Sequence, residues 1–130
     1  MNNGKYFSIL DIARLDLLIR AKIAAHLSKN DWYPVVVAET IRFRKSLKLF
    51  DSFLVETSIL GWDDKAFILQ QRFWRQDTCM AEAVVRARVL KKTGGSVLPQ
   101  EILGVAGVSR ASNIVPEWIR EWNARQIDPL

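Results

Sequence analysis

The sequence predicts an α+β domain in which a curved antiparallel sheet wraps one long helix. Three observations carry this. Apolar residues recur at spacings of three and four through Tyr6, Leu10, Ala13, Leu17, Ala21 and Ala24, the period of a helix with one buried face. The period then drops to two in four successive runs separated by turn residues, which is the pattern of consecutive strands. The helix face also becomes small toward its end, at Ala13, Ala21, Ala24 and Ala25, so a sheet can approach it closely.

In chain order, the helix runs from Asn3 to about Leu27, with Asn2 or Asn3 as its cap and Ser28-Lys29-Asn30-Asp31 as its stop. Val35–Leu47 reads as a strand with Thr40, Arg42 and Arg44 on one face and Ile41 and Phe43 on the other. A turn at Lys48–Asp51 leads to a strand over Ser52–Leu60. Gly61–Lys65 turns into a strand over Ala66–Arg75, and Gln76-Asp77-Thr78 into a long one from Cys79 to Lys91. The expected sheet is therefore four consecutive antiparallel strands. A short segment starts at Pro99, and Pro116 opens a last helix near 116–126. All 130 residues read as one domain. The sheet's open edge predicts pairing with a second chain, as dimer or tetramer.

Composition narrows the function. Half the chain is hydrophobic (49%) and a quarter charged (25%), the balance of a soluble globular domain. No apolar run nears the ~20 residues of a membrane span, and the opening residues lack a secretory signal, so the expected location is cytoplasmic. The single cysteine, Cys79, excludes an internal disulfide and a cysteine-rich zinc site. With His26 the only histidine and no Gly-x-Ser-x-Gly elbow, a serine-type triad is not expected. A net charge of +5 favours an anionic partner.

Asn2-Asn3-Gly4-Lys5-Tyr6, followed by Asp11 and Arg14, resembles the helix start of hotdog-fold acyl-CoA thioesterases, whose pattern is His-x-Asn-Asn-x-x-Tyr, an acid five residues on and Arg three later. Thr40–Leu47 resembles their second-strand signature. Leu60–Lys65, Gln71-Arg72-Phe73 and Pro116-Glu117-Trp118 resemble the thioesterase-like branch. The resemblance spans nearly the whole chain and implies hydrolysis of acyl-CoA thioesters in a homo-oligomer, with no metal and no organic cofactor. Family members carry a first strand and an Asp/His loop ahead of the Asn pair; this sequence opens at the Met before Asn2, so that loop carboxylate has no counterpart in it.

Thioester hydrolysis needs a polarised carbonyl, an activated water and a seat for the anionic coenzyme A tail. Free N–H groups at the helix start, around Asn2, Asn3 and Gly4, suit a developing oxyanion, a role the resemblance also implies; a plain helix cap is the structural alternative. Asp11 stands where the related enzymes carry their acid and is the expected base, with Arg14 three residues on; a surface ion pair is the alternative. Glu39 and Glu56 are secondary candidates. Arg42, Arg44, Lys45, Arg86 and Arg88 are expected to meet the phosphates, or else to solubilise a strand face. Tyr6, Leu10, Phe43 and Phe73 are expected to line the acyl chain. A non-catalytic acyl-CoA binder is the nearer rival. Binding of nucleic acid is not expected, because Phe43, Phe53, Phe67 and Phe73 alternate into a core rather than onto a basic face.

Overall fold

The computed structural model describes residues 3–20, 22–45, 52–105 and 115–127. Helix α1 (Asn3–Arg20) and helix α2 (Ile23–Lys29) precede strands β1 (Trp32–Phe43), β2 (Leu54–Trp62), β3 (Phe67–Arg75) and β4 (Thr78–Lys91). A two-residue strand β5 (Ser96–Val97), helix α3 (Pro99–Val105) and helix α4 (Glu117–Ile127) follow.

The single long helix of the sequence reading is two helices. Lys22 sits in the left-handed region at φ 60°, its N–H bonded to the Ile19 carbonyl at 3.1 Å, and the chain changes direction there. The apolar spacing runs through the break because Ile23 and Leu27 of α2 are buried like Tyr6 and Leu10 of α1. On α1 the buried face continues from Leu10 to Arg14 rather than to Ala13. The small residues that admit the helix lie on the sheet: Ala81 and Ala83 of β4 are fully buried under α1, and Ala87 packs beside them against the α2 cluster.

The sheet order is β1-β4-β3-β2, antiparallel throughout, with β5 on β4. The expected consecutive order therefore fails at one step. β1 pairs with β4, so the link from β1 to β2 crosses to the far edge of the sheet. Local periodicity reports a strand but not its partner, which is why the sequence misses this. β1 ends at Phe43, short of Leu47, and the expected turn at Lys48–Asp51 lies outside the described residues.

Alternation along β4 divides the side chains between two layers. Ala81, Ala83, Val85 and Val89 face the helical layer of α1 and α2. Val84 and Arg86 face the other side, where Val84 and Ile68 pack under Val115, Ile119, Trp118 and Trp122. The expectation that Trp118 and Trp122 pack the last helix onto the sheet holds. Asp63 ties this layer down. Its Oδ1 accepts the N–H groups of Lys65 and Ala66, both at 2.8 Å, which closes the β2–β3 turn. Its Oδ2 accepts from Arg86 and, at 3.2 Å, from Asn123 of α4.

Candidate active site

The helical layer does not fill the space over the sheet. A cavity of about 330 Å³ lies between α1, α2, α3 and the strands. Leu15, Leu18, Ile59, Phe67, Leu69 and Leu103 are among the side chains that line it. Asp11 and Arg14 stand at its α1 side.

Arg14 organises the polar rim. Its guanidinium is nine-tenths buried and bonded to three side chains: Asp11 on its own helix, Glu39 of β1 at 3.2 Å, and Gln71 of β3 at 2.7 Å. Each partner arrives for a local reason. Asp11 is one turn back along α1. Glu39 pairs with Val85 and so takes the helix-facing side of β1, as does Ile41 opposite Ala83. Gln71 alternates with Leu69 and Phe73, is fully buried, and donates to the Leu10 carbonyl and to Thr57 Oγ1, both at 3.1 Å. Both ends of its amide are therefore satisfied, which lets a polar group sit in the core.

The two carboxylates differ in environment. Asp11 is 70% exposed and Glu39 only 16%. Burial raises the Glu39 carboxyl above the usual glutamate range; the Arg14 charge and hydrogen bond oppose this, and the Asp11 charge adds to it. A largely buried carboxylate whose pKa is raised, held on an arginine that lines a cavity, is a candidate proton acceptor.

The structure gathers some of the expected residues and disperses others. Asp11 and Glu39 meet through Arg14, and Asp11 and Arg14 line the cavity. Tyr6 meets both Phe43 and Phe73, with ring centroids 4.8 and 5.1 Å away, and Leu10 is buried with Tyr6 and Phe73. Tyr6, Leu10 and Phe73 fill the core next to the cavity while Phe43 is 45% exposed at its edge; the aliphatic residues of α1, α2 and α3 line the cavity instead. Asn3 and Gly4 begin α1 at that aromatic end, seven residues and about 10 Å of helix from Asp11. Asn2 lies outside the described residues.

The basic residues do not converge. Arg42 lies 3.9 Å over the Trp118 ring and Arg44 reaches Glu82 at 3.9 Å. Lys45 borders a small polar hollow with Arg75, Gln76 and Thr78. Arg86 is buried and bonded to Asp63 and Asn123, which commits it to holding α4. Arg88, between Ala87 and Val89, is among the residues that line the cavity. Its Nε is buried with no hydrogen-bond partner among the described residues. Glu56 pairs with Arg72 at 4.0 Å, away from the cavity.

The sequence reading missed Gln71 as a site residue, although a glutamine at the inward parity of Phe-Ile-Leu-Gln-Gln-Arg-Phe was a signal that something polar had to meet it. Among the described residues no group of three or more His, Cys, Asp or Glu could hold a metal ion, and no helix is long and apolar enough to cross a membrane.

A sequence profile described as the thioesterase-like superfamily matches residues 1–123. Protein THEM6 of Danio rerio is 38% identical over 105 residues, which is 79% of this chain and 50% of that protein. The probable thioesterase YBR096W of Saccharomyces cerevisiae is 29% identical over 111 residues, 82% of this chain and 47% of that one. The chain thus spans about half the length of the curated relatives it matches. Among solved structures, the probable thioesterase YbaW of Escherichia coli superposes with a TM-score of 0.75 at 22% identity, covering 81% of this chain and 82% of that one. SAV2348 of Staphylococcus aureus, solved in complex with CoA, gives 0.72 at 17%, covering 92% and 80%. The BH1999 gentisyl-coenzyme A thioesterase gives 0.70 at 20%, covering 80% and 85%. At these identities the likeness establishes the fold.

Proposed function

The chain belongs to the thioesterase-like superfamily and has the hotdog fold, and from that membership we propose that it hydrolyses acyl-CoA thioesters to the free acid and coenzyme A. The observation that carries this reading is an apolar cavity with Asp11 and Arg14 in its wall, the buried arginine joining Asp11 to a second carboxylate, Glu39, behind it. The acyl chain would enter the cavity and leave the thioester carbonyl at the rim. One carboxylate takes a proton from water as the water oxygen bonds to the carbonyl carbon. The tetrahedral oxyanion then collapses, the C–S bond breaks, and the thiolate leaves and is protonated.

Glu39 is the base in this reading, because its raised pKa gives it the stronger pull on a proton, and Asp11 tunes it through Arg14. Within one chain the α1 N-terminus is too far from the rim to receive the oxyanion. Asn2, Asn3 and Gly4 are therefore assigned that role from a second copy. Support for a homo-oligomer comes from the surface beside the cavity. Ile12, Leu15 and Ile19 of α1 and Val36 and Val37 of β1 are exposed, and β1 is an outer strand of the sheet. Arg44 and Lys45, just past the end of β1, are exposed basic groups that could meet the coenzyme A phosphates.

The engagement of both carboxylates by one guanidinium favours a second reading, a binder that holds acyl-CoA without cleaving it. Release of free thiol from an acyl-CoA panel decides between them. Turnover that falls ~100-fold or more in Glu39→Gln supports the hydrolase and its base. Turnover lost in Asp11→Asn instead moves the base to the helix. Saturable acyl-CoA binding with no thiol release establishes the binder.

A further inference from the structure

Gln71 of β3 is fully buried and lies outside the cavity lining, yet three hydrogen bonds tie it to two other elements, α1 and β2. We propose, resting on the hydrolase reading above, that Gln71 is a positioning residue of that reaction. It holds the Arg14 guanidinium in place against Asp11 and Glu39, and catalysis depends on that placement although Gln71 touches no substrate.

The chemistry of its partners leaves the amide one orientation. A guanidinium only donates, so Gln71 Oε1 faces Arg14 Nη1 at 2.7 Å. A carbonyl only accepts, so Nε2 faces the Leu10 oxygen at 3.1 Å. Nε2 also donates to Oγ1 of Thr57, at 3.1 Å, the residue directly opposite in β2. Leu10 and Arg14 are one turn apart on α1. The amide therefore grips that turn twice, once by backbone and once by side chain, and Thr57 steadies it from the neighbouring strand. A hydrophobic side chain of the same size would fill the core without the cost of burying an amide; only the amide fixes where Nη1 lies.

That nitrogen is the one on which the proposed base depends. Arg14 Nη1 also donates to Glu39, at 3.2 Å, while Nη2 bonds Asp11. Among the described residues the charged groups that act on Glu39 are Arg14 and Asp11, both on α1, and β4 sets Val85 opposite it. Displacing the guanidinium therefore changes the field at Glu39 directly.

The test combines thiol release from acyl-CoA with a direct titration of Glu39, followed by carbon-13 NMR of its carboxyl and assigned by the signal's loss in Glu39→Gln. Gln71→Met roughly keeps the volume and removes all three bonds. Its kcat is expected to fall ~10-fold or more at unchanged KM, since a misplaced group costs rate while the cavity lining is untouched. Gln71→Glu sets a third carboxylate on Arg14, so the Glu39 titration and the acid limb of kcat/KM are both expected to rise by about one pH unit. Thr57→Val is expected to lower kcat as well, Thr57→Ser to recover it, and Thr57→Val to add nothing in the Gln71→Met background. If Gln71→Met does not fold, Gln71→Glu and Thr57→Val carry the decision. An unchanged kcat in Gln71→Met, a loss confined to KM, or an unmoved Glu39 titration in Gln71→Glu overturns the inference and leaves the hydrolase standing. A wild-type chain that releases no thiol from any acyl-CoA overturns both, and the absent turnover distinguishes that failure from one of Gln71 alone.

Discussion

Arg14 of α1 and Gln71 of β3, 57 residues apart in sequence, are joined by a 2.7 Å hydrogen bond inside the layer between helix and sheet. Gln71 is a neutral partner of Arg14, beside the carboxylates of Asp11 and Glu39. Its amide fixes where the guanidinium lies, and so fixes the distance at which Arg14 acts on Glu39.

Gln71→Leu removes that restraint, strands the Arg14 donor, and takes a hydrogen-bond donor from the Leu10 carbonyl and from Thr57 Oγ1. A loss of about 2 kcal/mol in unfolding free energy is expected from the stranded polar groups, measured as a lower urea midpoint. Gln71→Glu adds a third carboxylate to Arg14 and is expected to push Glu39 further up.

The pH–rate profile tests the pairing of the two acids. Asp11's negative charge adds to the burial that raises Glu39. Asp11→Asn removes that charge and leaves Arg14 freer to hold Glu39, so the acid limb of kcat/KM is expected to move to lower pH. An unmoved limb would mean that Glu39 is not the group being read.

On the opposite face, Asp63 and Arg86 form the ion pair that anchors α4. Removing one member leaves the other buried and uncompensated, so Asp63→Ala is expected to cost about 3–5 kcal/mol. Chemical denaturation followed by tryptophan fluorescence measures it, and reports on α4 directly through Trp118 and Trp122.

Asp63 also sets an acid limb of stability. Burial alone would raise its carboxyl, but hydrogen bonds from Arg86, the Lys65 amide, Asn123 and the Ala66 amide hold it at about 2 against an ordinary 3.8. Because the folded value is the lower one, its contribution is present above the unfolded value and is lost as pH falls through the folded one. Stability is therefore expected to drop between about pH 4 and pH 2, and Asp63→Asn to flatten that drop. Glu39 acts in the opposite sense: its folded pKa is raised, so it favours the fold at low pH and withdraws that support as pH rises.

Lys22 adopts a left-handed backbone that costs a side-chain-bearing residue about 1 kcal/mol. Lys22 is exposed, so Lys22→Gly is expected to raise the thermal midpoint by a few degrees without changing the packing of Ile23 or Leu27.

The elements of this fold are legible in the sequence because each has a strong local period. The strands were displaced by a few residues at most, and Phe73, Tyr6 and Leu10 are as buried as their spacing implied. Three features depend on contacts between distant residues and left no local trace. The pairing of β1 with β4 is one. The helix break is another, since Lys22 carries no glycine or proline signal. The third is the split of the arginines between faces: Arg14 and Arg86 both look like surface cations in sequence, yet each is buried because a carboxylate and an amide from another element wait for it. The pairing of Asp11 with Arg14 was legible from the spacing of one motif, whereas the contact of Glu39 with Arg14 was not, because it depends on which side of β1 faces the helix.

The alternation of β4 has a consequence for how variants combine. Ala83 and Val85 belong to the helix side of the sheet and Val84 and Arg86 to the α4 side, and among the described residues the hydrophobic clusters of the two sides share no member. Substitutions at Gln71 and Asp63 have no common partner, so their free energies should sum to within a few tenths of a kcal/mol in the double variant. The α4 face can then be strengthened as a reservoir of stability for changes made at the rim, without the chemistry registering what was done behind the sheet.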